Sequence, residues 1–420
     1  MLARLTKINS RFYPFFAILD QGLQSLVNLL SNLFVMSFSI KSDYGLYSIG
    51  FAFLVLNTGV SNALIMLQMT VIAPEKIAED RKLYFGSMFL ALQMLALFMV
   101  VTILLSVYLF SPFFACEYNS LIISTVLAIP GVLTIEFVRQ YLYFHSLAIH
   151  AFLMDLIFFL LYFSILSSFI YFEFDDIHLW ALSINGGIAI IIGFLVILYI
   201  IRLPLVRSVS SVYSSFSEAA RSGYWAVLGV FVTALQAQGY IYLLVFLKST
   251  SAVAEINVAR LFLSPLLVMS NGFSRVIIPK MALLKTEGNI SQAIVIAYKV
   301  LGLLLLSLVV YMGIILFLWD WIDIFLNERG YENLKIPVFL WGAFFITQAI
   351  CNTPSELLKV YREFRIITVA VASTAIVVFS ASIITIQYYG IIGAIVTLSI
   401  GNIGLALLLR SRFKYVKRRV

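Results

Sequence analysis

Two arginines on one face of an apolar segment are the residues of this sequence best suited to chemistry. At 100° per residue, Asn257, Arg260, Ser264, Asn271 and Arg275 fall within about 60° of arc, and Glu255 points the opposite way. A guanidinium presents a planar fork of donors that matches phosphate oxygens, so two of them at successive depths could hold an anionic group. An ionised side chain in hydrocarbon costs roughly 2.5–3.5 kcal/mol on insertion scales, so it faces protein or water. The stripe predicts the wall of an aqueous cavity. For each Ser or Asn taken singly, a hydrogen bond between helices is the other reading.

Three further polar faces fit the same pattern. Asp20, Gln24, Asn28 and Ser31 fall within about 80° of arc; Asn57, Ser61 and Gln68 within about 40°; and Thr233, Gln236 and Tyr240 within about 60°. Gln24, Asn28, Asn57 and Gln236 join Arg260, Arg275, Asn257, Ser264 and Asn271 as candidate substrate-binding residues. Asp20 lies six residues into its segment, roughly 9 Å deep, and is a candidate site for a coupling cation, proton or sodium. A carboxylate bonded to the neighbouring Gln and Asn is the competing reading. Asp20 and Arg260 fall near opposite ends of their segments and are not expected to pair. Glu136 and Arg139 are three apart and can pair on one helix, and with Asp155 they read as a structural charge cluster at the cytoplasmic mouth, contact with substrate being the other reading. No metal site and no cofactor is expected: Cys116, Cys351, His145, His150 and His178 show no ligand spacing.

The elements that must carry these residues follow from composition. Mean hydropathy is +1.03, 62% of residues are hydrophobic and 11% are charged, whereas soluble domains carry about a quarter charged residues. Runs such as Leu121 to Pro130 and Ile188 to Ile201 are continuously apolar rather than alternating, which selects membrane helices and excludes a barrel. The expectation is an all-α, polytopic membrane protein with twelve spans, near 14–39, 44–68, 84–110, 121–142, 152–172, 179–201, 223–247, 254–279, 296–319, 333–353, 366–387 and 390–410. The first run is long and lacks a small-x-small cleavage site, so it is expected as a retained span rather than a signal peptide.

Charge orients the spans. With the N-terminus in the cytoplasm, 22 of the 28 lysines and arginines fall on the cytoplasmic side, which places both termini there and requires an even number of spans. These charges are spread over short loops and form no patch for nucleic acid. The six in the tail from Arg410 to Arg419 suit anionic lipid headgroups.

The chain divides at its midpoint. The Ser-rich stretch 203–222 reads as a cytoplasmic linker between a six-helix lobe at 1–202 and another at 223–420. An offset of 209 residues aligns Ser42 with Ser251, Phe53-Leu54 with Phe262-Leu263, and Ser61-Asn62 with Ser270-Asn271, which suggests duplication. Two parallel repeats would share an axis along the membrane normal, with a central cavity between the lobes. Pro265, beside Arg260, could act as a hinge. No Walker motif is present, so ATP drive is absent from this chain. The short acidic loop Glu173-Phe-Asp175-Asp176 is the nearest approach to a catalytic loop, and a membrane-embedded enzyme of polysaccharide assembly is disfavoured accordingly.

The order of several short motifs resembles the polysaccharide-flippase branch (O-antigen and exopolysaccharide) of the multidrug/oligosaccharidyl-lipid/polysaccharide (MOP) exporter superfamily. They are Lys41-Ser-Asp-Tyr-Gly-Leu-Tyr, Glu136-Phe-Val-Arg139-Gln followed by Asp155, Gly223-Tyr-Trp-Ala, Asn257-Val-Ala-Arg260 through Pro265 and Pro279, and Tyr389-Gly390-Ile-Ile-Gly393-Ala. The resemblance implies a non-enzymatic, alternating-access transporter of the bacterial cytoplasmic membrane. Its cargo would be an undecaprenyl-diphosphate-linked oligosaccharide, and other polysaccharide-assembly proteins and membrane lipids would be partners. In that branch a basic residue of the eighth span serves the diphosphate, and Arg260 matches its place. Cavity arginines that several relatives carry in the first span are lacking, since Asp20 is the only charge there after Arg11. A cation-coupled multidrug exporter of the same fold is the alternative; it calls for cavity carboxylates, of which Asp20 is one.

Overall fold

The computed structural model describes residues 2–110, 116–204, 208–267, 269–270, 280–281, 284–285, 287, 289–361 and 363–419. Among them every regular element is helical: α1 (Leu2–Phe38), α2 (Lys41–Ser61, continued through a π turn at Asn62–Met66 into Leu67–Ile72), α3 (Ala78–Phe110), α4 (Cys116–Phe144), α5 (Ala148–Tyr171), α6 (Ile177–Val196), α7 (Val209–Leu247), α8 (Thr250–Leu261), α9 (Ile290–Phe317), α10 (Trp319–Asn327), α11 (Lys335–Val360) and α12 (Phe364–Arg419). A helix satisfies its backbone internally, which lipid demands. Nine stretches of the described residues are long and apolar enough to cross a bilayer, and the protein is an all-helical, multi-pass membrane protein.

The longest of these stretches is a hairpin. Gly390 interrupts α12 with φ 57° and ψ −133°, a backbone region that favours glycine. Its two arms then run back along each other: Thr385 and Thr397 share a hydroxyl hydrogen bond of 2.8 Å, and a Cβ on Gly393 would lie 2.1 Å from the Thr385 carbonyl oxygen. The arms match the expected spans 366–387 and 390–410. The second arm continues as helix to Arg419 and buries Leu405, Leu409, Phe413 and Val416 at helical spacing, leaving Arg410, Arg412 and Lys414 exposed.

Span 254–279 departs from one unbroken helix. α8 ends at Leu261, residues 262–263 form a turn, and helix resumes at 264. Pro265 explains the break, because it has no N–H to give the Leu261 carbonyl. The Ser264 hydroxyl donates to that carbonyl instead, at 2.7 Å, and the Tyr311 hydroxyl donates to the carbonyl of Phe262.

The chain separates into two compact units, Met1–Ser39 with Leu46–Phe231, and Ile40–Gly45 with Val232–Val420. It passes from one to the other within α7, and residues 209–222, expected within a linker, are the first turns of that helix. In the first unit, α4 and α6 approach almost backbone to backbone. A Cβ on Gly131 would lie 1.9 Å from the Gly186 carbonyl oxygen, and one on Gly186 would lie 2.3 Å from Ala128 Cα. Small residues permit this approach, which is how membrane helices gain packing when lipid supplies no hydrophobic drive. α4 is thereby fixed as the carrier of Glu136, Arg139 and Tyr143. In the second unit, Trp341 is fully buried and its indole donates to the Ile256 carbonyl at 3.1 Å, tying α11 to α8.

Candidate functional site

The first unit encloses a cavity of about 230 Å³. Gln24 and Asn28 of α1, Tyr47, Phe51 and Thr58 of α2, Glu136 and Arg139 of α4, Asp155 of α5 and Asn185 of α6 contribute its polar and aromatic walls. One connected polar network lies along it. Arg139 binds Asp155 bidentately, Nε to Oδ2 at 3.0 Å and Nη2 to Oδ1 at 2.9 Å, and pairs with Glu136 through Nη1. Asp20 is completely buried and accepts hydrogen bonds from Gln24 Nε2 at 2.7 Å and from the Tyr143 hydroxyl. The carboxyl of Asp155 is close enough to Asp20 for the two to interact. The remaining oxygen of Asp20, Oδ1, is buried with no donor among the described residues.

The charges do not balance. The network holds three carboxylates and one guanidinium, which pairs with Glu136 and Asp155 but not with Asp20, in a region where an unpaired buried charge is costly. Two carboxyl groups in one buried network, Asp20 and Asp155, are oxygen ligands of the kind a small cation takes. Arg139 holds Asp155 in place within this network.

The second unit carries a different group of residues. Arg260, in the last turn of α8, donates from Nη1 to the Tyr240 hydroxyl at 3.1 Å and lies over the Trp341 ring, 5.6 Å from its centroid. Among the described residues no carboxylate pairs with it. A guanidinium stacked on an indole keeps its edge donors available. Asn257 and Ser264 are half-buried near it in sequence, and Gln236 is half-buried on α7. Asn271 and Arg275 lie outside the described residues. Helix is interrupted at 262–263, between Arg260 and Ser264.

The remaining candidates fall as follows. Asn28 lines the first unit's cavity, whereas Asn57 is buried and donates to its own helix, at the Phe53 carbonyl, 2.8 Å away. Glu255, read as pointing away from the stripe, pairs with Lys41. Lys41 also lies over the Tyr331 ring, and a Cβ on Gly45 would lie 2.1 Å from the Thr250 carbonyl oxygen, so the first turn of α2 is seated within the second unit. Tyr143 and Asn185 were missed. Tyr143 follows Arg139 by four and Glu136 by seven, a helical spacing that places all three on one face.

No family model and no curated protein sequence matches the chain. Solved structures do. The lipid II flippase MurJ in an inward closed conformation aligns with a TM-score of 0.71 at 14% identity, covering 98% of this chain and 87% of that one. A multidrug resistance MATE family transporter of the MOP superfamily, inward-facing, aligns at 0.68 with 15% identity over 96% and 99%. A MOP superfamily transporter from Pyrococcus furiosus, for which reverse polarity of the binding pocket suggests a different function, aligns at 0.63 with 15% identity over 98% and 97%. The fold is that of MOP superfamily transporters.

Proposed function

We propose that this protein is an alternating-access transporter that flips a lipid-linked, undecaprenyl-diphosphate oligosaccharide across the cytoplasmic membrane for surface polysaccharide synthesis. The observation that carries this reading is Arg260, a guanidinium within a membrane-spanning unit, stacked on Trp341 and held by Tyr240, with no carboxylate among the described residues to neutralise it. Arg139, by contrast, is saturated by Glu136 and Asp155 and has little left for an anion. A diphosphate is the ligand class that suits a free planar cation beside an aromatic face. Asp20 and Asp155 supply the site for a coupling proton or sodium ion.

The test is lipid-linked glycan carrying a photolabel, followed for transfer between leaflets in proteoliposomes. Arg260→Lys is expected to retain part of the wild-type rate and Arg260→Glu to lose it by at least about tenfold, roughly 1.4 kcal/mol of lost anion binding. Unchanged flipping in Arg260→Glu overturns the reading.

A second reading has an observation of its own. The first unit's cavity joins carboxylates to Tyr47, Phe51 and Phe158, a lining suited to a lipophilic cation. On that reading the protein is a cation-coupled multidrug exporter. Arg260→Glu would then leave efflux of a cationic dye unchanged or raise it, while Glu136→Gln would lower it.

A further inference from the structure

The first turns of α7 and one face of α3 line a second cavity in the first unit, of about 360 Å³ and open to the outside along Met94, Phe98 and Tyr213. Ala91, Met94, Leu95 and Phe98 of α3 and Val212, Tyr213 and Phe216 of α7 form it. Apart from the Tyr213 hydroxyl, no lining side chain carries a polar atom. Such a surface facing water would be a liability. Here it belongs to Glu79–Leu109, a stretch long and apolar enough to cross the bilayer. It also continues into the exposed flank of that helix, Leu97, Phe98 at 68% exposure, Val101 and Leu105.

The face of α3 changes character along its length. At 100° per residue, Tyr84, Ser87, Leu95 and Phe98 all fall within about 40° of Ala91. At the Tyr84 end a Lys76–Glu218 ion pair of 3.0 Å is partly open to solvent, and the Lys76 ammonium lies over the Tyr84 ring at 4.7 Å. One turn on, the hydroxyls of Ser87 and Ser211 are 3.4 Å apart. Beyond them the walls are apolar. The seven steps from Ala91 to Phe98 extend this apolar part over roughly 10 Å. On α7 the apolar Val212, Tyr213 and Phe216 sit at helical spacing between Ser211 and Glu218. That pattern marks a helix lying at the boundary of headgroups and acyl chains.

We propose that this cavity seats one acyl chain of a bilayer phospholipid, clasped between α3 and the first turns of α7, with the glycerol end at Ser87, Ser211 and the Lys76–Glu218 pair. The site is separate from Arg260 and from the Asp20 network, and the assignment does not depend on what the protein transports. A seated chain would replace protein packing across a gap that the two helices leave open, and would hold the start of α7 to α3.

The test uses the full-length protein in liposomes containing phosphatidylethanolamine with a diazirine on one acyl chain. After irradiation, adducts are mapped by peptide mass spectrometry. Adducts on residues 91–98 and 212–216 are expected to exceed those on the exposed apolar stretch 303–317 of α9. Met94→Trp, which fills the cavity from an exposed position, should lower them about tenfold, the effect of unseating about two methylenes. Ala91→Phe fills it from the other side and should act likewise, with thermal unfolding in detergent confirming that each variant is folded. Equal labelling of the cavity and of 303–317 overturns the proposal, as does labelling that either folded variant leaves unchanged. Displacement of the label by polyprenyl phosphate, but not by excess phosphatidylethanolamine, would assign the cavity to a polyprenyl chain and overturn the phospholipid assignment.

Discussion

Arg139 of α4 grips Asp155 of α5 through two parallel hydrogen bonds of 3.0 and 2.9 Å, with both side chains more than nine-tenths buried. Asp155 is compensated by Arg139, and Arg139 by Asp155 and Glu136. Removing one partner strands a charge in a low-dielectric interior. We predict that Arg139→Gln lowers stability by about 3–5 kcal/mol, read as the thermal midpoint in detergent. Replacing both, as Arg139→Met with Asp155→Leu, should recover most of that loss and, on the proposed function, abolish cation-coupled transport. A double variant as unstable as the single one would show that packing, rather than charge, sets the cost.

Backbone proximity gives a cleaner case. Gly131→Ala is predicted to be destabilising by about 1–3 kcal/mol, because the new methyl would collide with the Gly186 carbonyl and push α4 from α6. Gly187 is one residue from Gly186, and a methyl added there would meet nothing within 4 Å, so Gly187→Ala should be neutral or stabilise by about 0.5–1 kcal/mol. Equal midpoints for the two alanine variants would refute the close approach.

The ion pair between Lys41 and Glu255 predicts a charge-swap result. Lys41→Glu should destabilise the protein, and Lys41→Glu with Glu255→Lys should restore it, with a coupling energy of about 1 kcal/mol for a partly exposed pair. A double-mutant cycle on unfolding midpoints measures this, and no recovery in the swapped variant counts against the pair.

His145 lies just beyond the membrane-crossing part of α4, among Phe85, Tyr141 and Phe144. Burial holds its proton affinity below the ordinary histidine value of 6.5, the neighbouring Arg81 adds to this, and its hydrogen bond to the Tyr141 carbonyl opposes it. A base with a depressed pKa is favoured in its neutral form on folding. Its contribution is present above about pH 6.5 and declines as pH falls through that value toward the folded pKa. The thermal midpoint should therefore drop between pH 7.5 and 5.5, and His145→Phe should shrink that drop. An unchanged pH slope in the variant assigns the effect elsewhere.

Much of the helix inventory was legible in the sequence, because hydropathy alone marks a span and needs no knowledge of its neighbours. Local pairs were legible too: Glu136 and Arg139 sit three apart, and geometry brings them together. Three features were not. Asp20 and Asp155 are 135 positions apart, and only the packing of α1 on α5 brings them within reach. The wheel through Asn257, Arg260, Ser264, Asn271 and Arg275 assumed unbroken helix, although Pro265 was the signal against it. The serines of 203–222 suggested a linker, and they hid the helical spacing of Val209, Val212, Tyr213 and Phe216.

The substitution of a hydroxyl for a backbone amide at the end of α8 has a structural result. Where Pro265 withholds its amide, Ser264 closes the Leu261 carbonyl from within the same turn, and Tyr311 closes Phe262 from α9. The turn at 262–263 thus interrupts the helix without leaving either carbonyl bare toward lipid.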